Sequence, residues 1–246
     1  MAVPQASLPL TFRDVFDLYK DVGRFALRPT MAVATLPIGA VFGIVLGALF
    51  VLDCTLALGV AYAELGLAQA GHEFPDPLQE EFSFEADFLT MVVLAPILEE
   101  ALFRGWLRGE LAALRFAGIA WIAVALVIVA EVLGWAILSS VTGIAMILLL
   151  IGFVQWLATR KTETQVPDWF KQHYGKLVWG STLIFGLIHV ANYETLASPL
   201  DLMLVASQTL GGLLLAYTRT RLGLGAAIGQ HAAWNLLVLT EETAWA

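Results

Sequence analysis

The chain has 246 residues, of which 59% are hydrophobic and only 14% are charged, and its mean hydropathy is +0.79. Soluble domains carry about 25% charged residues, so this composition is typical of an integral membrane protein and excludes a disordered chain or an ordinary soluble enzyme. The net charge of −8 leaves no basic surface for a nucleic acid. The single cysteine, Cys54, excludes an intramolecular disulfide and a multi-cysteine metal site.

Long apolar runs without the period-two alternation of barrel strands predict membrane-spanning helices, because lipid offers no partner for backbone polar groups. The sequence therefore predicts an all-α, polytopic integral membrane helix bundle with seven transmembrane helices, or eight if the ambiguous stretch 53–70 also crosses. That stretch can instead extend the first helix, lie at the interface or re-enter the membrane. The predicted spans are 30–52, 88–103, 118–138, 141–158, 178–194, 201–218 and 222–240.

The positive charges support the map of seven spans. All thirteen Lys and Arg residues fall on one side of it, as the excess of positive charge in cytoplasmic loops requires. The N-terminus and the loops after the second, fourth and sixth spans are therefore expected in the cytoplasm, with the acidic loop 71–87 outside. An eighth span within 53–70 would break this alternation. Compact loops and the lack of a eukaryotic sorting signal favour a bacterial inner (plasma) membrane.

Residues 1–28 are predicted to form a cytoplasmic N-terminal amphipathic segment, and residues 29–246 a single transmembrane helical domain. The segment mixes charged and apolar residues and lacks the compact apolar core of a cleavable signal peptide. Its part from 10 to 28 fits a helix on the inner membrane surface, or a plain helix leading into the first span.

Two adjacent acids and an arginine stand near the end of the second predicted span. At mid-bilayer a charged side chain costs about 2.5–3.5 kcal/mol on insertion scales, so charges within a span usually mark function. Glu100 and Arg104 are spaced i, i+4 with the acid first, the favoured order for a helical ion pair. Glu99 points about 100° away from that pair. We expect Arg104 to neutralise a structural Glu100, and Glu99 to face the bundle interior for proton transfer. A plain charge cluster at the membrane interface is the alternative.

Two histidines lie within later spans. His189 follows Phe185 by one turn and precedes Asn192, and His231 shares a helix face with Asn235 at i, i+4. Taken singly, each has a structural explanation, as a satisfied buried histidine or as a hydrogen-bonded pair between helices. Taken with Glu99, they supply a carboxylate and a histidine to accept a proton from water, and a histidine and an amide to stabilise an oxyanion. This set favours attack of water on an amide.

These residues, in this order, resemble the CPBP family of intramembrane proteases, which includes CAAX prenyl protease 2 and abortive-infection proteins. The family pattern is EExxxR, FxxxH and HxxxN, each on a membrane helix. It reads here as Glu99-Glu100…Arg104, Phe185…His189 and His231…Asn235. The resemblance covers roughly residues 88–240, the motif core of the predicted domain.

The resemblance implies a glutamate-type intramembrane endopeptidase that hydrolyses a peptide bond of membrane-anchored proteins or peptides, CAAX-like or other. Glu99 and His189 would activate the water, and His231 and Asn235 would form the oxyanion hole. Structural support would come from Glu100, Arg104, Phe185 and Asn192. Membrane lipid and a membrane-anchored substrate are the expected partners, and the oligomeric state stays open.

No metal or other cofactor is expected, because no further ligand at standard spacing accompanies the two histidines. The alternative is a zinc-dependent variant that uses Glu99, His189 and His231. A non-catalytic membrane scaffold or immunity protein of the same fold is a second alternative. A proton-coupled transporter is the third, although no internal repeat supports it. Glu131, inside the third span, is a further candidate for substrate or gate contact.

Overall fold

The computed structural model describes residues 11–32, 35–78, 83–134 and 138–245, with side chains in the last range up to residue 241. All regular secondary structure in these ranges is helical, which confirms the all-α prediction. Residues 1–10 of the predicted N-terminal segment lie outside the described residues. So do residues 33–34 and 135–137, which belong to two predicted spans.

Four helical stretches in the described part of the chain are long and apolar enough to cross a membrane, judged by length and composition. They correspond to the first, third, fourth and sixth predicted spans, and the chain is therefore described as a helical membrane protein. The total of seven or eight spans stays a prediction. The four stretches are Ala40–Gln69, Leu111–Val132, Leu138–Thr159 and Pro199–Arg221.

Contacts between Cα atoms divide the chain into two compact units. The first unit comprises Met1–Arg104 and Tyr174–Ala246, and the second comprises Gly105–His173. The prediction of a single domain over 29–246 stays a prediction, and each unit is described by itself below.

The first unit begins with helix α1, Phe12–Leu27. At its start, the backbone amide and the hydroxyl of Thr11 donate to Asp14 Oδ2 at 2.7 and 2.6 Å. These hydrogen bonds, led by the one from the side chain, lower the pKa of the Asp14 carboxyl. Helix α1 thus begins inside the predicted amphipathic segment, with its first turn fixed by a side-chain cap.

Helix α2 is one continuous helix, Ala40–Gln69. The ambiguous stretch 53–70 therefore extends the first predicted helix, and at about 1.5 Å per residue the helix is about 45 Å long. It begins ten residues after the predicted start at 30. Pro37 disfavours helical geometry at Leu36, whose amide instead donates to the Arg221 carbonyl at 2.8 Å.

The second predicted span is helical but not uniform. It comprises a short helix α3 (Phe84–Asp87), a π-helical segment (Phe88–Leu94) and helix α4 (Ala95–Phe103). The π-helical register occurs directly before Pro96, a residue that has no amide hydrogen to donate to a normal helical turn.

The C-terminal part of the first unit contains helices α7 (Asp168–Ile188, in this unit from Tyr174), α8 (Ala206–Arg221) and α9 (Leu224–Trp245). A 3₁₀ turn, His189–Asn192, continues α7, and a second one, Pro199–Val205, leads into α8. Helix α8 is central, because its residues from Gly212 to Arg221 are all buried. A Cβ atom at Gly186 of α7 would clash with Thr209 of α8, so these two helices are in close contact.

Short loops close one end of the first unit. His72, in the loop after α2, is largely buried, and its Nε2 lies 2.8 Å from Asp201 Oδ1. The Leu78 amide donates to the Asn192 carbonyl at 2.8 Å, and the Glu194 amide donates to the Asp76 carbonyl at 3.0 Å. These bonds hold the loop after α2 against the segment between α7 and α8.

The second unit is built on helices α5 (Leu111–Val132) and α6 (Leu138–Thr159). Gly152 lets α6 approach α5, since a Cβ atom there would lie 3.1 Å from Ile119. Arg115 bonds both carboxylate oxygens of Glu163 at 2.6 and 2.8 Å. Glu131, the further candidate for substrate contact, is exposed near the end of α5.

Candidate active site

Glu100 of α4 is fully buried, and one of its carboxylate oxygens binds two basic side chains. Glu100 Oε1 accepts from Arg104 Nη1 at 2.8 Å and lies 3.0 Å from His231 Nδ1 of α9. The i, i+4 pair with Arg104 is the one that the spacing predicts. The contact with His231 adds a direct link between two of the sequence motifs.

Arg104 is buried to 1% exposure, and its guanidinium is surrounded by partners. Besides Glu100, it donates to the Gly212 carbonyl at 3.2 Å and lies 3.9 Å from the centroid of the Phe185 ring. The Arg104 carbonyl accepts from Arg219 Nε at 3.0 Å. A buried guanidinium needs this many contacts to offset the loss of its hydration.

Gly212 makes this arrangement possible. A Cβ atom at this position would lie 2.8 Å from Arg104 Nη2 and 2.9 Å from the ring of Phe185. The neighbouring Gly211 faces α2 instead, where a Cβ atom would lie 3.2 Å from Asp53 Oδ1. The Gly-Gly pair therefore serves helix packing within this chain.

Glu99 takes a different position from Glu100, as the sequence predicts. Its side chain is 27% exposed, and Oε2 lies 3.8 Å from His231 Nε2. Among the described residues, this buried oxygen has no hydrogen-bond partner, and neither has Glu100 Oε2. Glu99 Oε2 therefore has lone pairs available to accept a hydrogen bond next to His231.

His231 lies between the two carboxylates. Its Nδ1 donates to Glu100, because a carboxylate in an ion pair with Arg104 can only accept. Its Nε2 faces Glu99 at a distance that is too long for a hydrogen bond.

His189 follows directly after α7, at the start of the 3₁₀ turn, and is half-buried. Its Nδ1 lies 2.7 Å from the Phe185 carbonyl, which can only accept, so Nδ1 carries the hydrogen. In the neutral ring, Nε2 therefore has a free lone pair. This is the tautomer that a general base requires.

Phe185 lies between the two histidines. Its ring centroid is 4.8 Å from that of His189 and 5.9 Å from that of His231. Among the described residues, no direct hydrogen bond or ion pair joins Glu99 to His189. The expected pairing of Glu99 with His189 on one water stays a prediction.

Asn235 of α9 is bonded to the π-helical segment. Its Nδ2 donates to the Met91 carbonyl at 2.7 Å. In an α-helix this carbonyl would accept from the amide of Ala95, but that amide bonds Thr90. In the π-helical register the donor would be Pro96, which has no amide hydrogen. Asn235 satisfies this carbonyl and keeps one amide hydrogen for another acceptor.

Asn192, the remaining predicted support residue, has an exposed side chain. Its contribution in the structure is its backbone carbonyl, which accepts from Leu78.

Sequence reasoning missed a buried polar chain beside His231. Gln230 Nε2 donates to Asp53 Oδ2 at 3.0 Å, and Thr218 donates to Gln230 Oε1 at 2.7 Å. Because α2 spans Ala40–Gln69, Asp53 lies near the middle of this apolar helix. An acid within an apolar helix, and a glutamine directly before the motif histidine, were the available signals.

Histidine, cysteine and acidic side chains are the usual ligands of a zinc centre. In the ranges that the structure describes, no group of three or more His, Cys, Asp or Glu side chains is arranged to hold a metal ion. Both the metal-free site and its zinc-dependent alternative stay predictions.

Residues 164–237 match the family model described as "Rce1-like: Type II CAAX prenyl endopeptidase Rce1-like". The match confirms the family resemblance that the three motifs predict. It covers under a third of the chain and includes Phe185, His189, His231 and Asn235. No curated protein and no solved structure matches the chain significantly.

Proposed function

We propose that this chain is an intramembrane endopeptidase that hydrolyses a peptide bond of a membrane-anchored protein or peptide, CAAX-like or other. The observation that carries the proposal is the position of His231 between two carboxylates of different character. Glu100 is fully buried and its Oε1 binds both Arg104 and His231, whereas Glu99 is 27% exposed and has no contact with His231 shorter than 3.8 Å. The family match supports a membrane protease of this kind.

Glu99 and His189 activate the water in this proposal. One of them accepts a proton as the water oxygen bonds to the carbonyl carbon of the substrate, with His189 acting through Nε2. The carbonyl electron pair moves onto oxygen and gives a tetrahedral oxyanion. Collapse of this intermediate breaks the carbon–nitrogen bond, and the accepted proton passes to the departing amine, so atoms and charges balance.

His231 and Asn235 stabilise the oxyanion. His231 Nε2 carries a hydrogen when the ring is protonated, and Glu100 holds the ring through Nδ1. Asn235 contributes the amide hydrogen that Met91 does not use. Such oriented donors in a site shielded from water contribute strongly to catalysis, because they need no reorganisation as charge develops.

The protease needs no metal in this proposal, because a carboxylate, two histidines and an amide supply every proton transfer. Metal analysis of the purified protein tests this point. We expect activity to survive chelator treatment. One zinc per chain, with activity lost to the chelator and restored by zinc, would assign Glu99, His189 and His231 to a metal site instead.

The test of the function compares Glu99→Gln with wild type in liposomes, using a farnesylated CAAX peptide and an unmodified membrane-anchored peptide. Because Glu99 is proposed to transfer the proton, we expect Glu99→Gln to lower kcat/KM by at least about 100-fold. Glu85→Gln, at an exposed acid on α3, is the matched control and should retain full activity.

Two outcomes would contradict the proposal. Full activity of Glu99→Gln would remove Glu99 from the chemistry. Lack of cleavage of both peptides by the wild-type protein would remove the proposed substrate class. Folding of each variant is verified by its melting temperature in detergent.

A further inference from the structure

A cleft of about 360 Å³ lies where the C-terminal end of α1 meets the C-terminal end of α8. Three arginines line it, Arg24, Arg28 and Arg221, together with Asp21 and the apolar side chains of Phe25 and Leu27. None of these residues belongs to the candidate active site.

Arg221 is the fixed part of the cleft. Its side chain is 7% exposed, and its guanidinium donates to the carbonyl and the hydroxyl of Thr30 at 3.0 and 2.9 Å. A guanidinium has five N–H donors, so these bonds leave others available. Its buried Nε is 3.7 Å from Asp21 and has no hydrogen-bond partner among the described residues.

The charge of the cleft suits a monoanion. Asp21 accepts from the Tyr217 hydroxyl at 3.0 Å and is 3.9 Å from Arg24, so it offsets one arginine. The two helix C-termini contribute roughly half a negative charge each and offset about one more. About one positive charge is left over, carried mainly by the exposed Arg24 and Arg28, and it matches a phosphodiester.

The surroundings of the cleft point to a membrane surface. Helix α1 exposes Phe12, Phe16 and Leu27 to 97%, 60% and 85%. The distribution of Lys and Arg predicts that this end of the chain lies at the cytoplasmic leaflet, where anionic headgroups collect. Arginines beside exposed apolar side chains are the composition that binds such an interface.

From these features we infer that the cleft is a phosphate-binding site, formed by Arg24, Arg28 and Arg221, for a phosphodiester monoanion such as an anionic phospholipid headgroup. The arginines bind the phosphate, and the exposed Leu27 contacts the adjoining carbon chain. This inference is independent of the proposed peptidase activity, because it concerns binding alone.

The experiment uses the purified full chain and native mass spectrometry. The probes are phosphatidylglycerol, phosphatidylcholine and inorganic phosphate. The variant is Arg24→Gln with Arg28→Gln, since both side chains are exposed and their loss leaves the packing intact. The matched control is Arg13→Gln, an exposed arginine on the same helix about 16 Å away along its axis.

We expect the double variant to bind phosphatidylglycerol at least about tenfold more weakly, a loss of about 1.4 kcal/mol. The control should stay within about twofold of wild type, and phosphatidylcholine should bind weakly to all three proteins. Inorganic phosphate that binds with the same dependence on Arg24 and Arg28, without a preference for phosphatidylglycerol, would identify free phosphate as the source.

Equal binding by the double variant and wild type would overturn the inference. So would an equal loss in Arg13→Gln, because binding would then follow the overall charge of α1 instead of the cleft. Equal binding of phosphatidylcholine and phosphatidylglycerol by wild type, with no binding of inorganic phosphate, would also overturn it. Equal melting temperatures of the variants and wild type verify that folding is unchanged.

Discussion

Glu99 and Glu100 are chemically identical neighbours, yet their surroundings differ. Glu100 Oε1 binds both Arg104 and His231 in a fully buried position, whereas Glu99 is 27% exposed. Removing one member of a buried ion pair leaves the other charge uncompensated, at a cost of about 3–5 kcal/mol. Glu99 has no ion pair as short as those of Glu100, since its nearest basic atom, His231 Nε2, is 3.8 Å away, so its loss leaves no tightly paired charge behind.

We therefore predict that Glu100→Gln lowers the free energy of unfolding by about 3 kcal/mol or more. Glu99→Gln should change it by less than about 1 kcal/mol. Thermal unfolding in detergent measures both variants, and Glu99→Gln serves as the matched control. A larger loss of stability in Glu99→Gln than in Glu100→Gln would contradict this division of roles.

The spacing of the charged residues was enough to predict the ion pair between Glu100 and Arg104. An acid four residues before an arginine pairs with it on any helix, and the adjacent acid cannot. The contact of Glu100 with His231 was not predictable in this way, because it depends on how α4 and α9 approach each other. The same holds for Phe185, whose place between the two histidines is a property of packing.

At the scale of elements, the π-helical segment before α4 has the clearest consequence. Its register and Pro96 together deprive the Met91 carbonyl of a helical donor, and Asn235 donates to that carbonyl at 2.7 Å. The sequence shows the proline and the asparagine but not the register that connects them. The role of Asn235 in holding α9 against this segment was therefore missed.

This link predicts a coupling between positions 96 and 235. Asn235→Ala leaves the Met91 carbonyl unpaired and should cost about 1–2 kcal/mol of stability. Pro96→Ala restores an amide hydrogen that can donate to Met91, so the cost of Asn235→Ala in that background should fall by about 1 kcal/mol.

A double-mutant cycle of unfolding free energies measures the coupling. Asn192→Ala, at an exposed asparagine, is the control and should show no coupling to position 96. Costs of Asn235→Ala that are equal in both backgrounds, to within about 0.5 kcal/mol, would contradict the link.

At the scale of the whole molecule, the candidate active site in the first unit is formed by residues from two distant parts of the sequence. Glu99 to Arg104 precede the second unit, whereas His189, His231 and Asn235 follow it. The long apolar runs predicted that these elements are helices, whereas the membrane side of the positive residues stays a prediction. The apolar runs placed the start of α2 ten residues too early, because a hydropathy window does not register the backbone restriction at Pro37.

Gly212 of the central helix α8 is where these two parts meet. A Cβ atom there would lie 2.8 Å from Arg104 Nη2 and 2.9 Å from Phe185, closer than ordinary contacts allow. Neither neighbour can yield easily, because Arg104 is held by Glu100 and Phe185 is buried under the same guanidinium. Overpacking of this kind costs about 1–3 kcal/mol.

We predict that Gly212→Ala lowers the melting temperature. At temperatures where the variant stays folded, it should also lower kcat/KM. The reason is that a displaced Arg104 no longer fixes the Glu100 carboxylate, which holds His231. Gly180→Ala is the matched control, since a Cβ atom at this position inside α7 meets nothing within 4 Å. It should retain or slightly raise stability, because alanine favours a helix over glycine by about 1 kcal/mol. Equal stability and equal activity of Gly212→Ala and Gly180→Ala would contradict the claim that close packing of α8 against Arg104 sets the geometry of the site.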